Sequence, residues 1–393
     1  MRLPRASGRT PTCACLLLLL LAAGCPHRSP LWSPDGKHIL VLAGERGEDV
    51  EKAASQLWLV DVASGKPARL AAPEKESRFL AALWLGTEEF LVATGQPSGD
   101  EIKEGSEKWW RRNPTGSWKR LALPAPSGAR LPRRLAVLLG RAAAGSRGTR
   151  PGGVLVYPVG GEKVSAVSLD GGKVLLELEP AELVGPGPRG GFLAYRETEG
   201  GTAELVAFGA ELRELWKVKF SELRRSVAAK LGKKPVEIIF NETSTSHLPL
   251  GDARAEWVAV NVVFTDVGWR EGIPGYHVRL AAADGKLLDV VHAVGLSGQP
   301  ASFGQYVSCV TAPQRKKKIP TALKVLDLKT GQDAHSLPLP GIKKEQVHGY
   351  SVDPSGRRLA LSLNAAATEL YIFELPALAA GLEAARKIVL QEK

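Results

Sequence analysis

The chain has one methionine, Met1, in 393 residues. A flexible, methionine-lined binding surface is thereby excluded. It has four cysteines, at 13, 15, 25 and 309. No CxxC pair occurs, and the seven histidines show no HxxxH or HExxH spacing, so neither a structural nor a catalytic zinc site is expected. Walker and dinucleotide-type glycine patterns are missing, as is the Asp-x-Asp-x-Asp-Gly calcium loop. Gly295-Leu296-Ser297-Gly298 lacks the second spacer of a G-x-S-x-G elbow and reads as a loop serine. No run of 18 apolar residues is present, so no spanning helix is expected. No cofactor is implied. Apolar residues still make up 44%, enough for a sizeable core.

What is present begins with a leader. Arg2, Arg5 and Arg9 stand without an acidic residue before the apolar stretch Leu16 to Ala23. That is the charge and length of a secretion signal, too short to span. It ends in Leu21-Ala22-Ala23-Gly24-Cys25, which resembles a bacterial lipobox, with Ala22 where leucine is commoner. The resemblance implies cleavage after Gly24 and lipidation of Cys25, with residues 1–24 removed. Several acyl chains on one residue anchor stably where a single chain is marginal. Losing the leader lowers the formal charge from +11 to +8. A mildly basic exported chain suits anionic envelope surfaces, and nothing in it points to nucleic acid. Residues 25–30 make a short tether of about 17–20 Å at most. If Cys25 is acylated and Cys13 and Cys15 are cleaved off, Cys309 has no disulfide partner. In the alternating stretch Gln305 to Val310 it reads as a small core residue.

From residue 31 on the pattern is β. Trp32-Ser33-Pro34-Asp35-Gly36-Lys37 places turn chemistry between an aromatic and the apolar run His38 to Leu42. Ser351-Val352-Asp353-Pro354-Ser355-Gly356-Arg357 repeats the unit near the other end. From the first of these onward a strand–turn–strand unit recurs seven times. The turns fall at Ser64-Gly65, Asn113–Gly116, Asp170–Gly172, Gly209-Ala210, Asp284-Gly285, Lys329–Gly331 and, more loosely, Gly381. The spacing averages about 53 residues, the span of a four-stranded blade with generous loops. The expected fold is all-β: a seven-bladed β-propeller over 31–393, or six blades if the third or fourth is degenerate. Leu31-Trp32 and Lys387–Leu390 could each stay within their own blade, which leaves the ring without a strand-swap clasp. Ser221 to Gly232 reads as a short helical insertion. Ser221 is the expected N-cap, Gly232 the stop, and Leu223, Val227 and Leu231 the apolar face.

The turn units at 32–37 and 353–357 resemble the repeat of TolB-type propellers, a WD-like architecture shared with the propellers of prolyl-oligopeptidase relatives. The resemblance covers the mature chain as architecture. Neither the TolB N-terminal domain nor a peptidase domain accompanies it, so their partners and activity are not implied.

Alternation along blades assigns two faces. Turns between the first and second and between the third and fourth strands share one face. Most long loops, the helix and the N-terminus share the other. Candidate contacts on that second face are Trp269 and Arg270 in one loop, Arg315, Lys316, Lys317 and Lys318 in another, and Arg224 and Arg225 on the helix. Each has a plain reading as a solvated loop or helix face. Lys108-Trp109-Trp110-Arg111-Arg112 with Trp118-Lys119-Arg120 is either a cross-strand rim hairpin or a stacking platform for a sugar or peptide. The function expected is that of an envelope lipoprotein. It is a non-catalytic scaffold for a protein or polymer partner, held to the membrane by its N-terminal lipid. Pro26 after the cysteine is not the aspartate of inner-membrane retention, so the outer membrane is favoured. The alternative is a hydrolase- or lyase-type propeller enzyme with its site in the central channel.

Overall fold

The computed structural model describes residues 30–44, 56–98, 101–103, 105–124, 137–139, 153–159, 163–198, 202–235, 238–239, 246–247, 256–264, 275–293, 301–303, 306–311, 321–327, 330, 332–342, 346–363 and 368–390. Their strands form seven antiparallel sheets of four or five strands, and one two-stranded hairpin. In each, strands that follow one another in sequence lie side by side. The first sheet is Leu31–Trp32, His38–Ala43, Gln56–Asp61 and Pro67–Leu70. The second is Arg78–Trp84, Phe90–Gly95, Lys108–Arg112 and Trp118–Leu121. The third is Val137–Leu139, Val154–Pro158, Val164–Ser168 and Val174–Leu178. The fourth is Ala181–Gly187, Gly191–Thr198, Thr202–Phe208 and Glu214–Lys219. The fifth is Ile238–Ile239, Trp257–Phe264, Gly275–Ala281 and Leu287–Ala293, with Ser246–His247 also paired to its second strand. The sixth is Ala301–Phe303, Tyr306–Thr311, Ala322–Asp327 and Gln332–Pro338. The seventh is Val347–Val352, Arg358–Leu363, Glu369–Glu374 and Arg386–Val389. This is the β-propeller fold. Six of the seven expected turns fall between the third and fourth strands of successive sheets, and Lys329 and Gly331 of the other lie outside the described residues.

The core lies between sheets, not within them. Leu40 and Leu42 pack with Phe79, Phe90 and Val92 of the second sheet. Ile39 and Val41, pointing the other way, pack with Ala360, Leu370 and Ile372 of the seventh. A strand buried on both faces reads as an unbroken apolar run, which is why His38–Ala43 lacks polar alternation. Similar clusters join the second to the third sheet through Trp109 and Tyr157, the third to the fourth through Val156 and Phe192, and the sixth to the seventh through Leu337 and Leu359.

The first and last sheets close on each other without exchanging a strand. Trp32 Nε1 donates to the Ser351 carbonyl at 3.2 Å, and Ser351 Oγ donates to the Pro30 carbonyl. Arg358 reaches from the seventh sheet to the Gly36 carbonyl at 2.8 Å. Arg386 donates to the carbonyls of Val62, Ala63 and Ser64.

The outer strands are protected from pairing with other sheets. In the third to sixth sheets the register to the outer strand shifts by one residue, a β-bulge near the start of that strand. Two of the bulged residues, Leu175 and Leu288, are each 43% exposed. The unbulged outer strands carry Pro67, Lys119 with Arg120, and Arg386 with Lys387.

The insertion is a helix, α1, Phe220–Leu231. Its start corrects the sequence reading. Lys219, extended and giving no side-chain cap, is the N-cap in place of Ser221. The reason is Phe220, buried against Tyr195 at 5.2 Å between ring centres, which draws the cap back from Ser221 to Lys219. Gly232 ends the helix as expected, in the left-handed region at φ 64°. Phe220, Leu223, Val227 and Ala228 fill the seam between the fourth and fifth sheets with Leu205, Val258 and Val278. The sequence reading also passed over the strand Ala181–Gly187, whose Gly185-Pro186-Gly187 looks like a loop. A bulge between Leu183 and Gly185 accommodates it. Among the described residues no helix is long and apolar enough to cross a membrane.

Candidate interaction face

Antiparallel order fixes which connections share a face. On one face lie the tight turns. Asp35, Asp61 and Asp284 there accept backbone N–H bonds from Lys37, Ser64 and Lys286, and Gly36, Gly65 and Gly285 supply positive φ. The opposite face receives every connection from second to third strand and every crossing between sheets. Pro30 leads into the first strand on that face. So do the hairpin Pro97–Ser98 with Glu101–Ile102 and the helix α1.

Of the sequence-predicted contact residues, Arg224 and Arg225 are described. Arg225 is exposed on α1, and Arg224 is half-buried with an Nε that lacks a hydrogen-bond partner. Lys230 in the last turn donates to the Leu288 carbonyl at 3.1 Å and lies 3.7 Å from Asp289, which docks the helix on the fifth sheet. Glu222 at its start and Lys230 at its end both suit the helix dipole. Gly24, Cys25, Trp269, Arg270 and Arg315, Lys316, Lys317 and Lys318 lie outside the described residues. The strand ends that flank the two loop groups, Phe264 with Gly275 and Thr311 with Ala322, are on the same face as α1.

The aromatic–cation cluster of the second sheet is a packing device, which decides the choice left open by the sequence. Trp109 is 3% exposed and meets Tyr157 edge-on at 5.3 Å. Trp110 Nε1 donates to Thr94 Oγ1 at 2.9 Å, and Trp118 Nε1 to the Ala71 carbonyl at 3.2 Å. Arg112 sits 5.7 Å from the rings of both Phe90 and Trp118, and its burial lowers the guanidinium pKa. Arg111 pairs with Glu89 at 2.8 Å. Tyr157 is pushed above the ordinary phenol range by burial, and its hydroxyl donates to the Pro124 carbonyl. These rings hold sheets together and offer no open stacking plane.

A densely bonded polar group among the described residues is one the sequence marked only as a turn. Asp353 is fully buried. Its Oδ1 accepts from the N–H of Arg357 at 2.9 Å and of Arg358 at 3.0 Å. Its Oδ2 accepts from Ser355 Oγ at 2.8 Å and Arg358 Nε at 3.0 Å. Burial alone would raise this carboxyl's pKa. The bonds from Arg358, Ser355 and Arg357 outweigh it and hold the group below the usual carboxylate range. Arg358 in turn lies 4.9 Å over the Trp32 ring. Nothing local in the sequence announces that Arg358 and Arg386 bridge to residues more than 300 positions away.

No protein-family model matches the chain, and no curated protein matches it. Among solved structures it is similar to a chain of the crystal structure of the mitotic checkpoint complex. That match has 10% identity, covers 92% of this chain and 94% of that one, and gives a TM-score of 0.51. It is also similar to a chain in the crystal structure of the eukaryotic initiation factor, at 12% identity over 88% of this chain and 85% of that one, with a TM-score of 0.39. The first likeness is one of fold alone, and no argument rests on the second. The first likeness agrees with the β-propeller fold seen in the sheets.

Proposed function

We propose that this propeller is a cell-envelope lipoprotein that acts as a non-catalytic scaffold, binding a protein or an envelope polymer through its loop-bearing face. On this reading each of the seven sheets is one blade of a TolB-type array. Cys25 carries the lipid, including palmitate, after cleavage at Gly24, and the outer membrane of a bacterial envelope holds the anchor. The observation that carries the proposal is the polarity of the ring. One face carries most of the tight turns, while the other bears the crossing helix, the hairpin Pro97–Ser98 with Glu101–Ile102 and the point where the chain comes in from its N-terminus. A tether of about five residues keeps that face within roughly 20 Å of the lipid. The lipobox-like sequence supports the anchor independently of the fold. Metabolic labelling with palmitate tests it: the wild-type chain takes up label and sediments with membranes, and Cys25→Ser does neither. An unlabelled wild-type chain contradicts the proposal.

A further inference from the structure

We propose that the exposed cationic surface of α1 and its flanks is a contact site for anionic phospholipid headgroups. This rests on the reading that the loop-bearing face lies toward a membrane, and gives that face its lipid chemistry. Between Lys217 and Lys234 the chain carries seven cations and one acid, Glu222. Lys217, Lys219, Arg225, Lys233 and Lys234 are exposed. The apolar side of α1 is used up in the seam between the fourth and fifth sheets, with Val227 fully buried and Leu223 2% exposed. The helix therefore cannot insert into a bilayer by its apolar face, as an amphipathic membrane helix does. What it presents outward is charge. Contact of that kind is electrostatic, screened by salt and selective for negative lipids. The crossing also lies on the face into which Pro30 leads, so a tether anchored in a bilayer would bring this surface toward the headgroups.

The test is vesicle flotation of residues 26–393, which keep every described residue and lack the lipid. Vesicles of phosphatidylcholine with about one-third phosphatidylglycerol are compared with phosphatidylcholine alone. The expected result is binding to the anionic vesicles only, lost on raising salt from about 0.1 to 0.5 M, where the screening length shortens from about 10 Å to a few ångströms. Lys219→Ser with Arg225→Gln weakens the partition about 25-fold, each cation near an anionic surface being worth about fivefold. Neither side chain belongs to the buried seam, so an unchanged melting temperature keeps the variant informative. Val227→Ala, which disturbs the core and leaves the charges, is the control for general damage and should bind as wild type at a temperature where it is folded. Equal binding to both vesicle types, no binding to either, or binding unaffected by the double variant overturns the proposal. Because the lipid is absent, failure here is separate from failure of palmitate labelling at Cys25.

Discussion

The first and last copies of the turn unit close the same backbone turn with Ser and Asp exchanged, Asp353 standing in the place of Ser33 and Ser355 in that of Asp35, and substituting the aspartate of each measures the different loads they carry. Asp35 accepts from Ser33 Oγ at 2.6 Å and the Lys37 N–H at 3.2 Å, and its side chain is 24% exposed. Asp353 accepts four hydrogen bonds, is fully buried, and fixes the guanidinium that crosses to Gly36 and covers Trp32. Asp353→Ala removes the acceptor and leaves Arg358 without its counter-charge, a loss of about 3–5 kcal/mol. Asp35→Ala removes hydrogen bonds at a turn that water reaches, about 1 kcal/mol. For a chain of this length the unfolding entropy is about 0.8 kcal/mol/K, so the melting temperature falls by about 5 °C in the first case and about 1 °C in the second. Scanning calorimetry reads both. The pH dependence carries the sign of a depressed carboxyl. The stabilisation is present above the unfolded-state value near ~3.9 and is lost as pH falls through the lower folded value. The gap between wild type and Asp353→Ala therefore closes below about pH 4. Equal losses from the two alanine variants, or a gap independent of pH, would refute the reasoning.

Other outcomes follow from the same geometry. Arg386→Ala frees three carbonyls of the first sheet's outer turn, and amide exchange of Gly65, which donates to the Asp61 carbonyl, and of Asp61, which donates to the Lys66 carbonyl, should quicken while the third sheet is unchanged. Gly172→Ala should cost several kcal/mol by urea titration, because its Cβ would come 1.8 Å from the Ala122 carbonyl oxygen at φ +65°. Gly105→Ala, also at positive φ but with nothing within 4 Å, should cost about 1 kcal/mol. Val227→Ala should lose about 1–3 kcal/mol by cavity formation, whereas Arg225→Gln should leave stability unchanged within about 0.5 kcal/mol.

Much of this fold is legible in the chain because its turns are chemically explicit. Ser33-Pro34-Asp35-Gly36, Asp284-Gly285 and their counterparts need glycine at positive φ and a carboxylate within reach of the next N–H, and those demands leave residues that can be read. The helix was readable from Leu223, Val227 and Gly232, but its first turn was not. Phe220 gains more from the inter-sheet seam than Ser221 gains as a cap, and that seam is tertiary. The strand Ala181–Gly187 was hidden by glycines and a proline that a bulge accommodates. Closure through Arg358 and Arg386 has no local signature, since both residues act on carbonyls at the other end of the chain. The interaction face is legible as topology and charge. Trp109 and Trp118 show the limit of that kind of reading: aromatics among cations look like a platform in sequence and turn out to be the joints between sheets.

The account's central claim is that the loop-bearing face does the binding. Its most direct test is site-specific photo-cross-linking of the full-length chain in cells, with the reactive group at Arg225 on the loop-bearing face or at Asp170 on the turn face. The account predicts a defined envelope protein or polymer captured from Arg225 and absent from Asp170. The same adduct from both positions, or a specific adduct from Asp170 alone, would contradict it.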